Sequence, residues 1–371
     1  MTKDIKCSVS NGGISLVRRA PKRPCVSVIL AAHNAGEHLT RAIESVLNQD
    51  YEDLELIVAN CASSDRTASV CERFVDRDIR VEAVSVDNNS MSCGRAAACS
   101  VARGRYLLFV GQDDWLGAGF LDAMVAAARE HDAQMVIPEF SVDTEQADGS
   151  RVFATLSHES CFWDGAEAFH QGAAPFVENG VLAFAAGKLF TRECIEAMAE
   201  LPDMCHNEVS FMTGCVRDLA RVAVVEGARY HLLQPSTPAH AAFDPGMFAR
   251  CQEDYRRLRD LYEYWGLLDD AAAMSAVHRR YLRELIRCIE NVCASSNRLS
   301  ASERRDRVQD MLDAAPTREA IEAVKESSHE FGIMYAPIAR RSVMACFMGA
   351  RIQDIVGRAL LPFVSCAEAR L

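Results

Sequence analysis

Paired cysteines at metal-binding or redox spacing are missing from this sequence. Fifteen cysteines run from Cys7 to Cys366, and no two form a Cys-x-x-Cys motif. The Cys205…Cys215 and Cys288…Cys293 spacings suit no zinc site without histidines in register. The count is odd, and the polar Met1–Gly13 lacks the apolar segment of a signal peptide. Both features point to reduced thiols in the cytosol. Most cysteines, among them Cys71, Cys93, Cys99 and Cys288, are expected to pack as small hydrophobes. No apolar run is long enough to span a bilayer. No Gly-x-Gly-x-x-Gly follows the first apolar run, which speaks against a dinucleotide dehydrogenase. No Gly-Lys-Ser/Thr loop exists, which speaks against a P-loop nucleotide hydrolase. Positive charge is in deficit, 40 Lys and Arg against 52 Asp and Glu, for a net charge of -12. That balance argues against nucleic acid as a partner. What remains is an ordinary globular composition over 371 residues, room for two or three domains.

The most informative stretch is Tyr106–Leu107–Leu108–Phe109–Val110–Gly111–Gln112–Asp113–Asp114–Trp115–Leu116. Its five apolar residues predict a fully buried strand. Two adjacent carboxylates then sit where open α/β sheets bind ligands, at the carboxyl end of a strand. They repel each other and favour a cation between them. Hard oxygen ligands suit Mg²⁺ or Mn²⁺, which in turn suit a diphosphate. A plain Asp-rich turn is the other reading, and this stretch alone leaves both open.

Residues 1–23 form a leader ending in the basic cluster Arg18, Arg19, Lys22 and Arg23. Val26–Leu30, Leu54–Val58, Val81–Ser85 and Tyr106–Val110 read as strands. Helices are expected between them: one carrying Leu39, Ala42, Ile43, Val46 and Leu47, one capped by Ser63 or Ser64 and running to Phe74, and one over 92–103. This alternation predicts a mostly parallel sheet covered by helices. The strand-to-helix turns face one edge of such a sheet, so Asn34, Asn60, Arg95 and Asp113 should converge on one cleft. Further on, the pattern predicts a helix over 119–131, a strand at Gln134–Pro138 and a hairpin or insertion over 139–160 turning near Asp148–Gly149. Helix starts follow near Asp164, Thr191 and His206. Val222–Val225 is a late strand that resumes at Tyr230–Leu233 after a break. A linker at 235–245 leads into residues 246–371, which read as helices only.

Taken in order, these motifs resemble the family 2 glycosyltransferases of bacterial surface polysaccharide synthesis. Val26–Leu30 with Asn34, the Asp65–Thr67 neighbourhood, Ser92–Cys93–Gly94–Arg95 with Ala102–Arg103–Gly104, and Gly111–Gln112–Asp113–Asp114–Trp115–Leu116 carry the likeness. It implies a GT-A fold, a Rossmann-like, mostly parallel mixed sheet flanked by helices, forming a catalytic domain at 24–240 ahead of the helical 246–371. It also implies an inverting transfer from a nucleotide-diphospho-sugar donor to a saccharide or lipid-linked acceptor. On that analogy Asp113 and Asp114 hold Mn²⁺ or Mg²⁺, and Asn34, Asn60, Asp65, Arg95 and Gly111 line the donor site. Glu208, in Asn207–Glu208–Val209–Ser210–Phe211, matches the family's base. The chain departs from the family pattern at Ala31, His33, Asn60, Cys61, Gly111 and Asn207, where proline, an aromatic or acidic residues are usual. The alternative implied by those departures is a degenerate, non-catalytic nucleotide-sugar-binding protein of an assembly complex.

Four other residues carry both a functional and a plainer reading. His33 lines the cleft without chemistry in the simpler view, and His206 is a helix-end histidine or a neighbour of the base. Lys188 meets the diphosphate or acceptor, or is a solvated lysine. Trp115 packs or forms an acceptor platform. The last helix carries Met344, Met348, Ile352, Ile355, Val356, Leu360 and Phe363 on one face, edged by Arg340, Arg351 and Arg358. Such a face packs on neighbouring helices or lies on an anionic membrane surface. The latter would place a cytoplasmic enzyme peripherally at the inner face of the plasma membrane.

Overall fold

A computed structural model describes residues 23–36, 38–145, 151–197, 208–234, 243–294 and 297–360. The leader before Arg23, the turn at Asp148–Gly149, His206, Asn207, linker residues 235–242 and Phe363 lie outside them, as do the side chains of Ile355, Val356, Arg358 and Leu360. The chain divides into two compact units. One comprises Met1–Asp143, Phe153–Phe169 and Phe184–Gln234; the other comprises Thr144–Val152, His170–Ala183 and Pro235–Leu371. The helical unit thus draws in 170–183, which the sequence reading assigned to the first domain.

As far as residue 234 the strands are β1 (Val26–Ala32), β2 (Leu54–Cys61), β3 (Val81–Val86), β4 (Tyr106–Val110), β5 (Trp115–Leu116), β6 (Met135–Glu145), β7 (Arg151–Leu156), β8 (Cys161–Asp164), β9 (Leu189–Thr191) and β10 (Arg221–Gln234). The helices are α1 (Leu39–Leu47), α2 (Thr67–Arg77), α3 (Met91–Val101), α4 (Phe120–Glu130), α5 (Ala166–Gly172), α6 (Ala174–Glu178), α7 (Arg192–Glu196) and α8 (Glu208–Arg217). The sheet order is β3-β2-β1-β4-β9-β6-β10-β5, with β7 beside β6 and β8 beside β10. The pairs β1–β2, β2–β3 and β1–β4 are parallel. Those of β9 with β4 and β6, and of β10 with β5 and β8, are antiparallel. The late strand does not break. β10 runs on from Arg221 to Gln234 through Gly227, whose φ is +83°.

β1 and β4 are buried at every position because helices cover both faces of a parallel sheet. α1 turns Leu39, Ala42, Ile43 and Val46 inward at helical spacing. The register pairs Ala32 with Asn60, Asn60 with Ser85, and Leu30 with Val110. The strands β1, β2 and β3 therefore end within one residue of one another and β4 two residues short of β1, so the turns after β1, β2 and β4 share one edge. One ion pair buttresses the sheet from below. Glu55 is 2% exposed and accepts from Ser27 Oγ at 2.6 Å, from the Arg103 amide at 2.6 Å and from Arg103 Nε at 2.9 Å.

The second unit adds α9 (Met247–Tyr264), α10 (Ala271–Cys293), α11 (Ala301–Asp313), α12 (Ala315–Ala323), α13 (Tyr335–Ala339) and α14 (Val343–Leu360). A 3-10 segment, Lys325–Met334, precedes α13. Central to it is α10, which buries Val277, Tyr281, Leu285, Cys288, Ile289 and Val292 along one face. Glu178 of α6 is held by Arg283 at 2.8 Å. The described cysteines are free thiols.

Candidate active site

The turns at the carboxyl edge are stitched to one another by side chains. Asn34 adopts φ +50°, a left-handed backbone that asparagine tolerates. Its amide donates to Ser63 Oγ at 3.1 Å, and its Oδ1 accepts from the Ser64 amide at 2.9 Å. Neither serine caps α2, contrary to the expectation from sequence: the cap position is Arg66, without a side-chain bond. The serines are spent on the neighbouring loop instead. Asp65 takes over the anchoring, accepting from the Gly36 amide and from the Thr67 amide, both at 2.9 Å. Hydrogen bonds from Thr67 and Gly36 hold its carboxyl below the usual carboxylate range. Asn60 Oδ1 accepts from the Ser63 amide at 3.3 Å.

His33 joins the first loop to the other two. Its amide donates to Gln112 Oε1 at 2.8 Å, and its Nδ1 lies 2.6 Å from the Cys61 carbonyl. A carbonyl only accepts, so Nδ1 carries the proton, and Nε2 accepts from Asn34 Nδ2 at 3.2 Å. Both ring nitrogens are engaged, in keeping with a histidine that builds the cleft. Cys61, where the family pattern has an aspartate, is fully buried beneath Gly94. A Cβ at Gly94 would lie 2.3 Å from Cys61 Sγ, so the small pair lets α3 sit close on β2.

Gly111 and Asp114 are also a matched pair. A Cβ at position 111 would fall 2.2 Å from Asp114 Oδ2. The carboxylate of Asp114 fills the space that a side chain at 111 would take. Asp114 is 9% exposed. Its Oδ2 accepts from the Tyr230 hydroxyl at 2.8 Å and its Oδ1 from the Leu233 amide at 3.1 Å. Burial pushes its pKa up to about 6, against the pull of those two bonds. The Tyr230 hydroxyl, in turn, accepts from the Gly111 amide at 2.9 Å. Thus β10 clamps the loop after β4.

Asp113 points elsewhere. Its Oδ2 is 3.4 Å from Gln112 Nε2, and its carbonyl accepts from Arg41 Nη2 at 2.6 Å. The Arg41 guanidinium lies 4.1 Å from the Trp115 ring centroid, and His231 stacks on Trp115 at 4.7 Å. His231 is tied to Asp143 at 2.9 Å. Among the described residues no group of three or more His, Cys, Asp or Glu side chains is placed to hold a metal. A Mg²⁺ or Mn²⁺ on a diphosphate needs only one or two protein carboxylates, water and phosphate completing its shell. Half-exposed Asp113 fits that demand, whereas both Asp114 oxygens already accept protein hydrogen bonds.

Glu208 opens α8, whose Phe211 packs edge-on against Phe109 of β4 at 5.6 Å. Its Oε1 accepts from Arg95 Nη1 at 2.9 Å and from the Ala185 amide at 3.3 Å. The Arg95 of α3 is therefore turned on the carboxylate of α8. The Tyr230 phenol, fully buried, is raised well above its ordinary pKa by burial first and then by the nearby Asp114 charge, with Glu208 adding a smaller push. One phenol thus senses both carboxylates. Lys188 is not solvated: it is fully buried, a third possibility that the sequence reading did not weigh. Tyr230, His231, Arg41 and Gln112 escaped that reading. Only the late placement of Tyr230–His231 in a strand hinted at two of them.

Residues 27–154 match the family model described as glycosyl transferase family 2. Over that stretch the chain carries the sequence pattern of that family. It is 23% identical over 304 residues to the uncharacterized glycosyltransferase EpsJ of Bacillus subtilis, covering 80% of this chain and 86% of EpsJ. Among solved structures it resembles S. aureus TarS 1-349 in complex with UDP-GlcNAc, with a TM-score of 0.58, 15% identity, and 90% and 92% of the two chains covered. A mannosyltransferase from Pyrobaculum calidifontis, in complex with GDP-Man and Mn2+, gives a TM-score of 0.51 at 15% identity over 93% and 90% of the chains. At such identities the two structures share the fold. The chain therefore has a GT-A-like α/β fold with a helical C-terminal region.

Proposed function

We propose that this glycosyltransferase moves a sugar, with inversion, from a nucleotide-diphospho-sugar to a saccharide or lipid-linked acceptor in cell-surface polysaccharide synthesis. The observation that carries the reading is Glu208. A carboxylate at the start of α8 is steered by Arg95 and the Ala185 amide, and it shares the Tyr230 phenol's surroundings with the loop of Asp113 and Asp114. In the reaction the acceptor hydroxyl oxygen forms a bond to the anomeric carbon. The bond from that carbon to the diphosphate oxygen breaks, its electron pair leaving with the nucleoside diphosphate. The hydroxyl proton passes to Glu208. Asp113 would hold the Mg²⁺ or Mn²⁺, an ion that neutralises charge on the departing diphosphate when bound. Asn34, Asn60 and Asp65 shape the nucleotide side of the cleft through the loops they fix. Donor complexes of UDP-GlcNAc and of GDP-Man with Mn2+ in proteins of similar fold support this class of donor.

The test is release of nucleoside diphosphate from a panel of UDP- and GDP-sugars with Mn²⁺. Asp113→Ala and Glu208→Gln are each expected to lower turnover by about 100-fold or more. Turnover that survives both substitutions would refute the assignment. A second reading, a nucleotide-sugar-binding protein without turnover, draws on Gly111 and on the engagement of both Asp114 oxygens. It predicts tight nucleotide binding and no release with any donor.

The helix α14 supports a peripheral membrane contact. Met344, Met348 and Ile352 are 64%, 60% and 50% exposed along one stripe, with exposed Arg340 and Arg351 nearby. No described helix is long and apolar enough to cross a membrane. Co-sedimentation with vesicles containing anionic lipid, lost in Met344→Ser/Met348→Ser, tests that contact.

A further inference from the structure

Lys188 sits just before β9 and is 0% exposed. Its Nζ donates to the Phe184 carbonyl at 2.7 Å and lies 4.0 Å and 4.9 Å from the ring centroids of Phe184 and Phe140. Burial lowers its pKa well below 10.5, and the charge of Glu208 opposes that shift. A buried amine is expensive where a leucine would pack more cheaply. Its use is visible in the peptide it grips. The Phe184 carbonyl and the Ala185 amide belong to one planar peptide group. The carbonyl end accepts from Lys188; the N–H end donates to Glu208 Oε1 at 3.3 Å. A donor on the oxygen of an amide polarises it and strengthens its N–H as a donor. The next turn is equally fixed. The Gly187 amide donates to the Phe109 carbonyl at 2.8 Å, and a Cβ at Gly187 would lie 2.8 Å from the Tyr230 ring.

We infer that Lys188 is a positioning residue for Glu208, acting through the 184–185 peptide to hold the carboxylate in its reacting orientation. The two aromatic rings keep the amine dry and fix its direction. Arg95 grips the same oxygen from α3, so Glu208 is oriented from two elements at once. The inference rests on Glu208 being the base.

The test uses the full chain and the UDP- or GDP-sugar that gives the fastest nucleoside diphosphate release with Mn²⁺. Lys188→Met is expected to lower kcat by about 10-fold or more, with donor KM within about 2-fold of wild type. In a Glu208→Gln background the same substitution is expected to change the residual rate by less than about 2-fold, because the two residues act as a unit. Phe184→Leu removes one aromatic face while keeping the carbonyl, and is expected to lower kcat by roughly 3-fold. It decides the matter should Lys188→Met fail to fold. An unchanged kcat in a folded Lys188→Met protein overturns the inference. So does an equal loss in the presence and absence of the Glu208 carboxylate, or, for an unfolded Lys188→Met, an unchanged kcat in Phe184→Leu. Wild-type turnover in Glu208→Gln alone overturns the base assignment instead, which is a separate result.

Discussion

Gly111→Ala is the sharpest single perturbation. The backbone at Gly111 is not left-handed, so alanine meets no torsional barrier there. The obstacle is Asp114, whose Oδ2 would be 2.2 Å from the new methyl carbon and whose Cγ would be 2.8 Å away. An ordinary carbon–oxygen contact is about 1 Å longer, and a carboxylate moved that far loses its hydrogen-bond geometry. Two bonds are at stake, from the Tyr230 hydroxyl at 2.8 Å and the Leu233 amide at 3.1 Å. Bonds to a charged group are worth roughly 1.5–3 kcal/mol each, and alanine returns about 0.4–1 kcal/mol by stiffening the unfolded chain. The net loss is then about 2–5 kcal/mol. It is measured by urea unfolding, followed through the fluorescence of Trp115 and its two fellow tryptophans. The decisive comparison is with Asp114→Ala, in which the methyl has room. There Gly111→Ala should cost less than about 1 kcal/mol. Equal costs in the two backgrounds would show that the Gly111–Asp114 fit is not what holds this loop.

Tyr230→Phe removes the hydroxyl that bridges the Gly111 amide and Asp114, leaving buried polar groups without a partner. Urea midpoints should register a loss of about 2–4 kcal/mol. Glu55→Ala strips a 2%-exposed carboxylate from Arg103 and Ser27, and about 3–5 kcal/mol should disappear in the same assay. Asp65 has its pKa lowered in the fold from 3.8, so its stabilisation is complete above that value and is lost as pH falls through the folded pKa. The difference in stability between wild type and Asp65→Asn should accordingly shrink below pH 3.8 and stay level above it. A difference that instead grew on acidification would reverse the sign of the argument.

The strands were legible because burial on both faces demands unbroken apolar runs. Tyr106–Val110 is such a run, and Val26–Leu30 is interrupted only by Ser27, whose hydroxyl is taken up by Glu55. The loops were legible as positions and less so as bonds. Ser63 and Ser64 have the chemistry of helix caps, but a left-handed Asn34 thirty residues away offers them better partners. Short β5 left no periodicity to read, since two residues carry none. The solvated reading of Lys188 fails on its burial, although lysine is ordinarily solvated. Only its apolar flanks, Ala185–Ala186 and Leu189–Phe190, marked it as enclosed. Tyr230 lies 116 residues from the aspartate it holds, a separation over which no spacing rule operates.

That same separation sets the order in which the site comes into being. The strands β1 to β4 leave the ribosome early and can pair with one another, but Asp114 has no hydroxyl to receive until the chain has grown past Tyr230. Synthesis of the parallel half thus produces a scaffold whose acidic loop has its partners in Arg41 and His33 but not yet in Tyr230. A nascent chain stopped before β10 holds the sheet edge and lacks the clamp on Asp114. The clamp on Asp114 closes only when the final strand of the sheet supplies Tyr230 and Leu233.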